Sequence, residues 1–94
     1  MYARLVRFSF GPGKHTAAQS IADDIAPLIA SQPGCQSVTV FGDETDGEYG
    51  IFVLWETQEY ANAAAQLMRP KLDEHLAGNA KSAPDARLFK VLSK

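Results

Sequence analysis

Few side chains in this sequence are of types that do chemistry, and their spacing narrows the field further. Trp55 closes the apolar run Ile51-Phe52-Val53-Leu54-Trp55, directly before Glu56 and Thr57. An indole offers a broad π face and one N–H, so Trp55 is either a stacking wall for a flat ligand or a core residue closing a strand. His75, among Lys71, Asp73, Glu74 and Leu76, has the side chain that titrates near neutrality. It is a candidate acid or base, set against the plainer reading of a histidine on a charged helix surface. His15 follows the turn Gly11-Pro12-Gly13 and reads as a solvated first-turn residue. No His-x-x-x-His or Cys-x-x-Cys spacing occurs, so no metal site is expected. Cys35 is the single cysteine, which excludes an intramolecular disulfide, and behind Pro33-Gly34 it reads as a small apolar filler. There is no Gly-x-Ser-x-Gly elbow for a serine nucleophile. Gly11-Pro12-Gly13-Lys14 lacks the glycine spacing and the Lys-Ser/Thr end of a phosphate loop.

Arg4 and Arg7 fall on opposite faces of a strand, so one of them turns to a covered face. A covered guanidinium needs an anion: Glu56, another carboxylate, or the oxyanion of a substrate. Asp43, Glu44, Asp46 and Glu48 lack a calcium-loop spacing and read as a solvated turn. Asn62 and Arg69 read as exposed, and Met68 as a deformable pocket wall or core filler.

The elements that would position these groups follow from periodicity. Residues 2–10 alternate, with Tyr2, Arg4, Val6, Phe8 and Phe10 on one face, and end in a Gly-Pro-Gly turn. Over 14–31, Ala18, Ile21, Ala22, Ile25, Leu28 and Ile29 recur at helical steps, with a kink or stop expected near Ala26 because of Pro27. A strand over 35–41, a loop over 42–47 and a strand over 49–56 follow. Thr57 caps a helix beginning at Gln58, whose apolar face is Tyr60, Ala61, Ala64, Ala65, Leu67 and Met68. Pro70 is expected to open a separate short helix through Leu76, since proline suits a first helical turn. A loop over 78–86 leads to a last strand over 87–92.

The order βαββαβ is the ferredoxin-like α+β arrangement, a four-stranded antiparallel sheet with helices on one face, in a single domain over 1–94. In its third strand Tyr49, Ile51, Val53 and Trp55 point one way, and the equally apolar Phe52 and Leu54 the other. A sheet with one wet face should show polar residues there. A second copy of the chain is the economical cover, so a homodimer is expected. Burying ~1,000 Å² of apolar area would give roughly 25 kcal/mol of gross transfer energy before association costs.

Nine basic against eleven acidic residues, net charge −2, leave no basic footprint for nucleic acid or a lipid surface. The longest apolar run is far short of the ~20 residues of a membrane span. Met1-Tyr2-Ala3-Arg4 shows no signal-peptide core, and a cytoplasmic location is expected.

Three segments carry a family resemblance: Phe8-Ser9-Phe10-Gly11-Pro12-Gly13-Lys14, Gln32-Pro33-Gly34-Cys35, and Phe52-Val53-Leu54-Trp55-Glu56-Thr57 followed by Gln58-Glu59-Tyr60. The chain resembles the antibiotic biosynthesis monooxygenase (ABM) domains, dimeric α+β barrels of about this length. The resemblance implies a pocket in each protomer between the helices and the sheet. It also implies oxidation of quinol- or phenol-like substrates by molecular oxygen with no cofactor. The chemistry is reasonable because an ionised phenol can itself give electrons to oxygen, leaving the protein to desolvate, orient and stabilise it. Trp55, Ile51, Tyr60 and Met68 are the implied substrate-binding residues, with Arg7 or His75 as the polar group for the substrate's anion. Where the family's oxygenases carry an asparagine four residues before the tryptophan, this chain has Ile51. An isomerase of the same fold, or a non-catalytic dimer holding a small molecule or haem, is therefore the alternative.

Overall fold

Side-chain alternation and helical periodicity together build the molecule, and the computed structural model describes residues 1–94. The elements run β1 (Tyr2–Ser9), α1 (His15–Asp24), α2 (Ala26–Ala30), β2 (Cys35–Asp43), β3 (Glu48–Trp55), α3 (Gln58–Leu76) and β4 (Asp85–Lys90). The strands form one antiparallel sheet in the order β2-β3-β1-β4. The helices cover a single face of it. This is the ferredoxin-like α+β fold that the element order predicts.

Tyr49, Ile51, Val53 and Trp55 of β3 face the helices and are all buried, with Phe8 and Phe10 beside them. Ile21, Ile25 and Ile29 close that core from α1 and α2, and Ala61, Ala64, Leu72 and Leu76 from α3. On the other face, register groups Leu5 with Phe52, Ala3 with Leu54 and Phe89, and Phe41 with Gly50. Phe52 there is 36% exposed, Phe41 45% and Phe89 40%. No helix is long and apolar enough to cross a membrane.

The first helical region breaks at Ile25, next to the stop expected near Ala26, and Pro27 falls in the first turn of α2, where its missing N–H is no loss. The boundaries depart from sequence expectation in three places. Pro70 opens no new helix. It lies inside α3, because Ala61, Ala64, Met68, Leu72 and Leu76 stay in phase across it and Pro70 itself is on the exposed side. The β2–β3 connection is tighter than expected, since Asp43 still pairs with Glu48. Gly47, at φ 74°, closes that loop with its N–H on the Asp43 carbonyl at 2.8 Å. Finally, β4 sits two residues earlier than patterning suggests, its register set by pairing Lys90 with Tyr2 at the start of β1.

Candidate functional site

A cavity of about 400 Å³ lies between α3 and the helix-facing side of the sheet. Its floor is Arg4 and Val6 of β1 with Ile51, Val53 and Trp55 of β3; same-face residues on paired strands converge this way by register. Ile25 and Ile29 form one end wall. Ala64, Ala65, Met68 and Leu72 of α3 form the roof, where the two alanines leave room that bulkier side chains would fill. Arg69, Asp73 and Asp85 complete the rim and are exposed.

Most of the lining is apolar, so its few polar groups stand out. Arg4 is half-buried, and its Nη2 donates to Asn62 Oδ1 at 3.2 Å and to the Ala61 carbonyl at 3.5 Å. Burial draws its pKa below the ordinary arginine value, yet a guanidinium remains charged at any physiological pH. No carboxylate pairs with it. The histidine–carboxylate contacts of the molecule lie elsewhere, His15 Nδ1 to Glu44 Oε1 at 2.6 Å and His75 Nε2 to Asp24 Oδ2 at 3.5 Å. Trp55 is 3% exposed. Its Nε1 and the Nε of Arg4 are the buried side-chain polar atoms with no hydrogen-bond partner.

The arrangement suits a flat, largely apolar molecule with a hydrogen-bond acceptor at one end. Residues 1–78 match the family described as antibiotic biosynthesis monooxygenase. The chain belongs to this family. No curated protein matches it in sequence. Among solved structures, a Nitrosomonas europaea protein of unknown function superposes with a TM-score of 0.84 at 18% identity, covering 99% of this chain and 90% of that one. A monooxygenase of Streptomyces coelicolor, ActVA-Orf6, solved with the ligand nanaomycin D, gives 0.78 at 19% identity, with 99% and 88% covered. SnoaB, a cofactor-independent oxygenase from Streptomyces nogalater, gives 0.75 at 20% identity, with 99% and 94% covered. At these identities the likeness speaks for the fold alone.

Within this ABM domain the residues singled out by sequence separate into two groups. Trp55, Ile51 and Met68 line the cavity. Tyr60 does not; it is exposed, and its ring packs so closely on Gly34 that a Cβ there would collide with it. Its place one turn into α3 puts it beyond the cavity end. Arg7 is exposed on the opposite sheet face, level with Gly50 and Asp85, because it differs in parity from Arg4. His75 is in the last turn of α3 and turns to Asp24 of α1, outside the lining. Neither Arg7 nor His75 reaches the cavity.

His15 is exposed, as its position predicts, and is held by Glu44. Cys35 is half-buried against the core, and burial pushes its thiol pKa up, with Sγ 3.7 Å from the Ser37 carbonyl. No group of three or more potential metal ligands assembles. Sequence alone leaves open which arginine is covered and marks Asn62 only as exposed. Arg4 shares its parity with Val6, Phe8 and Phe10, and that shared face was the available signal. Asn62 carried none, since its partner is distant in the chain.

Proposed function

We propose that this protein is a cofactor-independent monooxygenase acting, as a homodimer, on an aromatic phenol- or quinol-like small molecule. The observation that carries the reading is the apolar cavity of about 400 Å³ walled by Trp55 in a chain of the ABM family. Trp55 walls the site for the flat substrate, and the aliphatic floor and roof exclude water from it. Deprotonation of the substrate hydroxyl makes an electron-rich anion that oxygen can oxidise. One oxygen atom becomes a ring carbonyl, the displaced ring hydrogen and the hydroxyl proton leave with the other as water, and a phenol becomes a quinone. No external reductant is needed. The apolar open face of the sheet, with Phe41, Phe52 and Phe89, supports pairing of two copies.

Oxygen uptake in the presence of a chelator, across a panel of hydroquinones, naphthols and anthrones, tests this. The wild type is expected to accelerate uptake with at least one of them, and Trp55→Leu to reduce that rate about tenfold, the scale of one lost aromatic contact. A panel with no oxygen-dependent turnover would remove the oxygenase reading. Ile51, 2% exposed on the cavity floor, favours one second reading, an isomerase, because an alkyl side chain there offers nothing to a peroxide. Turnover unchanged under anaerobic conditions would select it.

A further inference from the structure

Arg4 and Trp55 each present a donor for which the protein supplies no acceptor. Arg4 Nε and Trp55 Nε1 are closed to solvent and unbonded, although both residues line the cavity. Tyr2 pairs with Trp55 and Arg4 with Val53, so Arg4 and Trp55 are diagonal neighbours on one sheet face, roughly 7–8 Å apart at Cα. Buried N–H groups are rarely left unpaired, because desolvating them without a partner is costly. Two such orphans on neighbouring residues that line one cavity form a pattern that an acceptor bound there, with a small turn of the side chains, would resolve.

Charge points the same way. Arg4 is bonded only to neutral oxygens, the Ala61 carbonyl and Asn62 Oδ1. The other charged lining residues, Arg69, Asp73 and Asp85, are exposed at the rim, where solvent screens them, and Asp85 stands opposite Arg7 on the sheet. Arg4 is therefore the one half-buried charge facing the cavity, and it has no counter-ion.

We propose that Arg4 is the counter-ion for an anionic ligand, a flat aromatic molecule whose ionised oxygen accepts hydrogen bonds from the Arg4 guanidinium and from Trp55 Nε1. The oxygen is that of a phenolate, enolate or carboxylate. Releasing the long 3.5 Å bond to Ala61 lets the guanidinium turn toward it, and flexible Met68 makes room. Charge-assisted bonds of this kind are the stronger class and favour the ionised form of the ligand. Arg4 thus decides which ligands are accepted, and for a phenol it holds the form that gives up electrons. This rests on the reading of the cavity as the substrate site.

Anaerobic titrations test it without any turnover. Calorimetry compares 2-naphthoate with its neutral isostere 2-naphthamide, and visible absorbance follows the ionisation of bound 4-nitrophenol. Wild-type protein is expected to bind naphthoate about tenfold more tightly than naphthamide, or to lower the apparent pKa of nitrophenol by about one unit. The first result alone assigns carboxylates as the ligand class; the second alone assigns phenolates. In Arg4→Gln the preference should vanish, and Arg4→Lys should recover part of it. Wild type that treats both naphthalenes alike and leaves nitrophenol unshifted overturns the proposal, and this comparison needs no variant to fold. A preference that survives Arg4→Gln overturns the part given to Arg4. Failure of both naphthalenes to bind overturns the cavity reading beneath it. Anion preference without oxygen uptake keeps this inference and discards the oxygenase.

Discussion

At Gly47 a turn, a positive φ and a close approach coincide. Its φ is 74°, and an added Cβ would run into the backbone of Gly11. The same residue accepts the Phe10 N–H at 2.8 Å, which seats a buried aromatic against Phe8 and Tyr49. Gly78 has a similar φ of 77° but open space around it. Gly78→Ala should therefore cost only the backbone term of about 1 kcal/mol, some 4–8 °C in Tm for a domain of this size. Gly47→Ala should cost clearly more, since it also displaces the Gly11 backbone; thermal melts followed by circular dichroism compare the two. Cys35 gives a second test at this scale. Burial raises its pKa, so less thiolate exists at neutral pH than for a free thiol. Alkylation by iodoacetamide should be slower than that of free cysteine and accelerate as pH rises; a faster reaction would contradict the placement.

Among the elements, α3 positions the cavity roof, and its ends and middle have separate causes. Thr57 Oγ1 accepts the Tyr60 N–H at 3.2 Å, satisfying one of the unpaired first-turn donors. Thr57→Ala should lose about 1 kcal/mol in urea unfolding. Pro70 removes one helical hydrogen bond from an exposed stretch, tolerated because the buried stripe on the other side pins the helix to the sheet. Pro70→Ala should raise stability by about 1–3 kcal/mol, the reverse of the usual effect of a substitution. Loss of stability would mean that the proline bend itself is needed to seat Leu72 and Leu76. A proline can open a helix or be carried within one, and the choice depends on packing beyond it. Local sequence does not contain that packing, so the helix runs through Pro70 against expectation while the Thr57 cap forms as patterned.

For the molecule as a whole, the exposed apolar outer face of the sheet is the feature that bears on assembly. Phe52 sits at its middle, flanked on the neighbouring strands by Leu5 and Thr39. An aspartate there would place a charge in any sheet-to-sheet contact while leaving the helix-facing core untouched. Wild-type protein should be dimeric by light scattering, and Phe52→Asp should be a folded monomer at micromolar concentration. A wild type that is already monomeric would refute the homodimer and leave the cavity argument standing, because that argument uses residues of one protomer.

Short-range periodicity determined the sheet, its two apolar faces and the capped helix after Thr57. These follow from side-chain type at steps of two and of three to four, and neighbours along the chain are enough to set them. Tertiary structure decided the chemistry. The alternation separated Arg4 from Arg7 by parity, but only the docking of α3 shows Arg4 bonded to Asn62, without a carboxylate, and at the cavity beside Trp55. The same docking turned Tyr60 onto Gly34 and His75 onto Asp24. How far along the sheet a helix comes to rest is set by packing between residues distant in sequence, and that distance is what local pattern cannot carry.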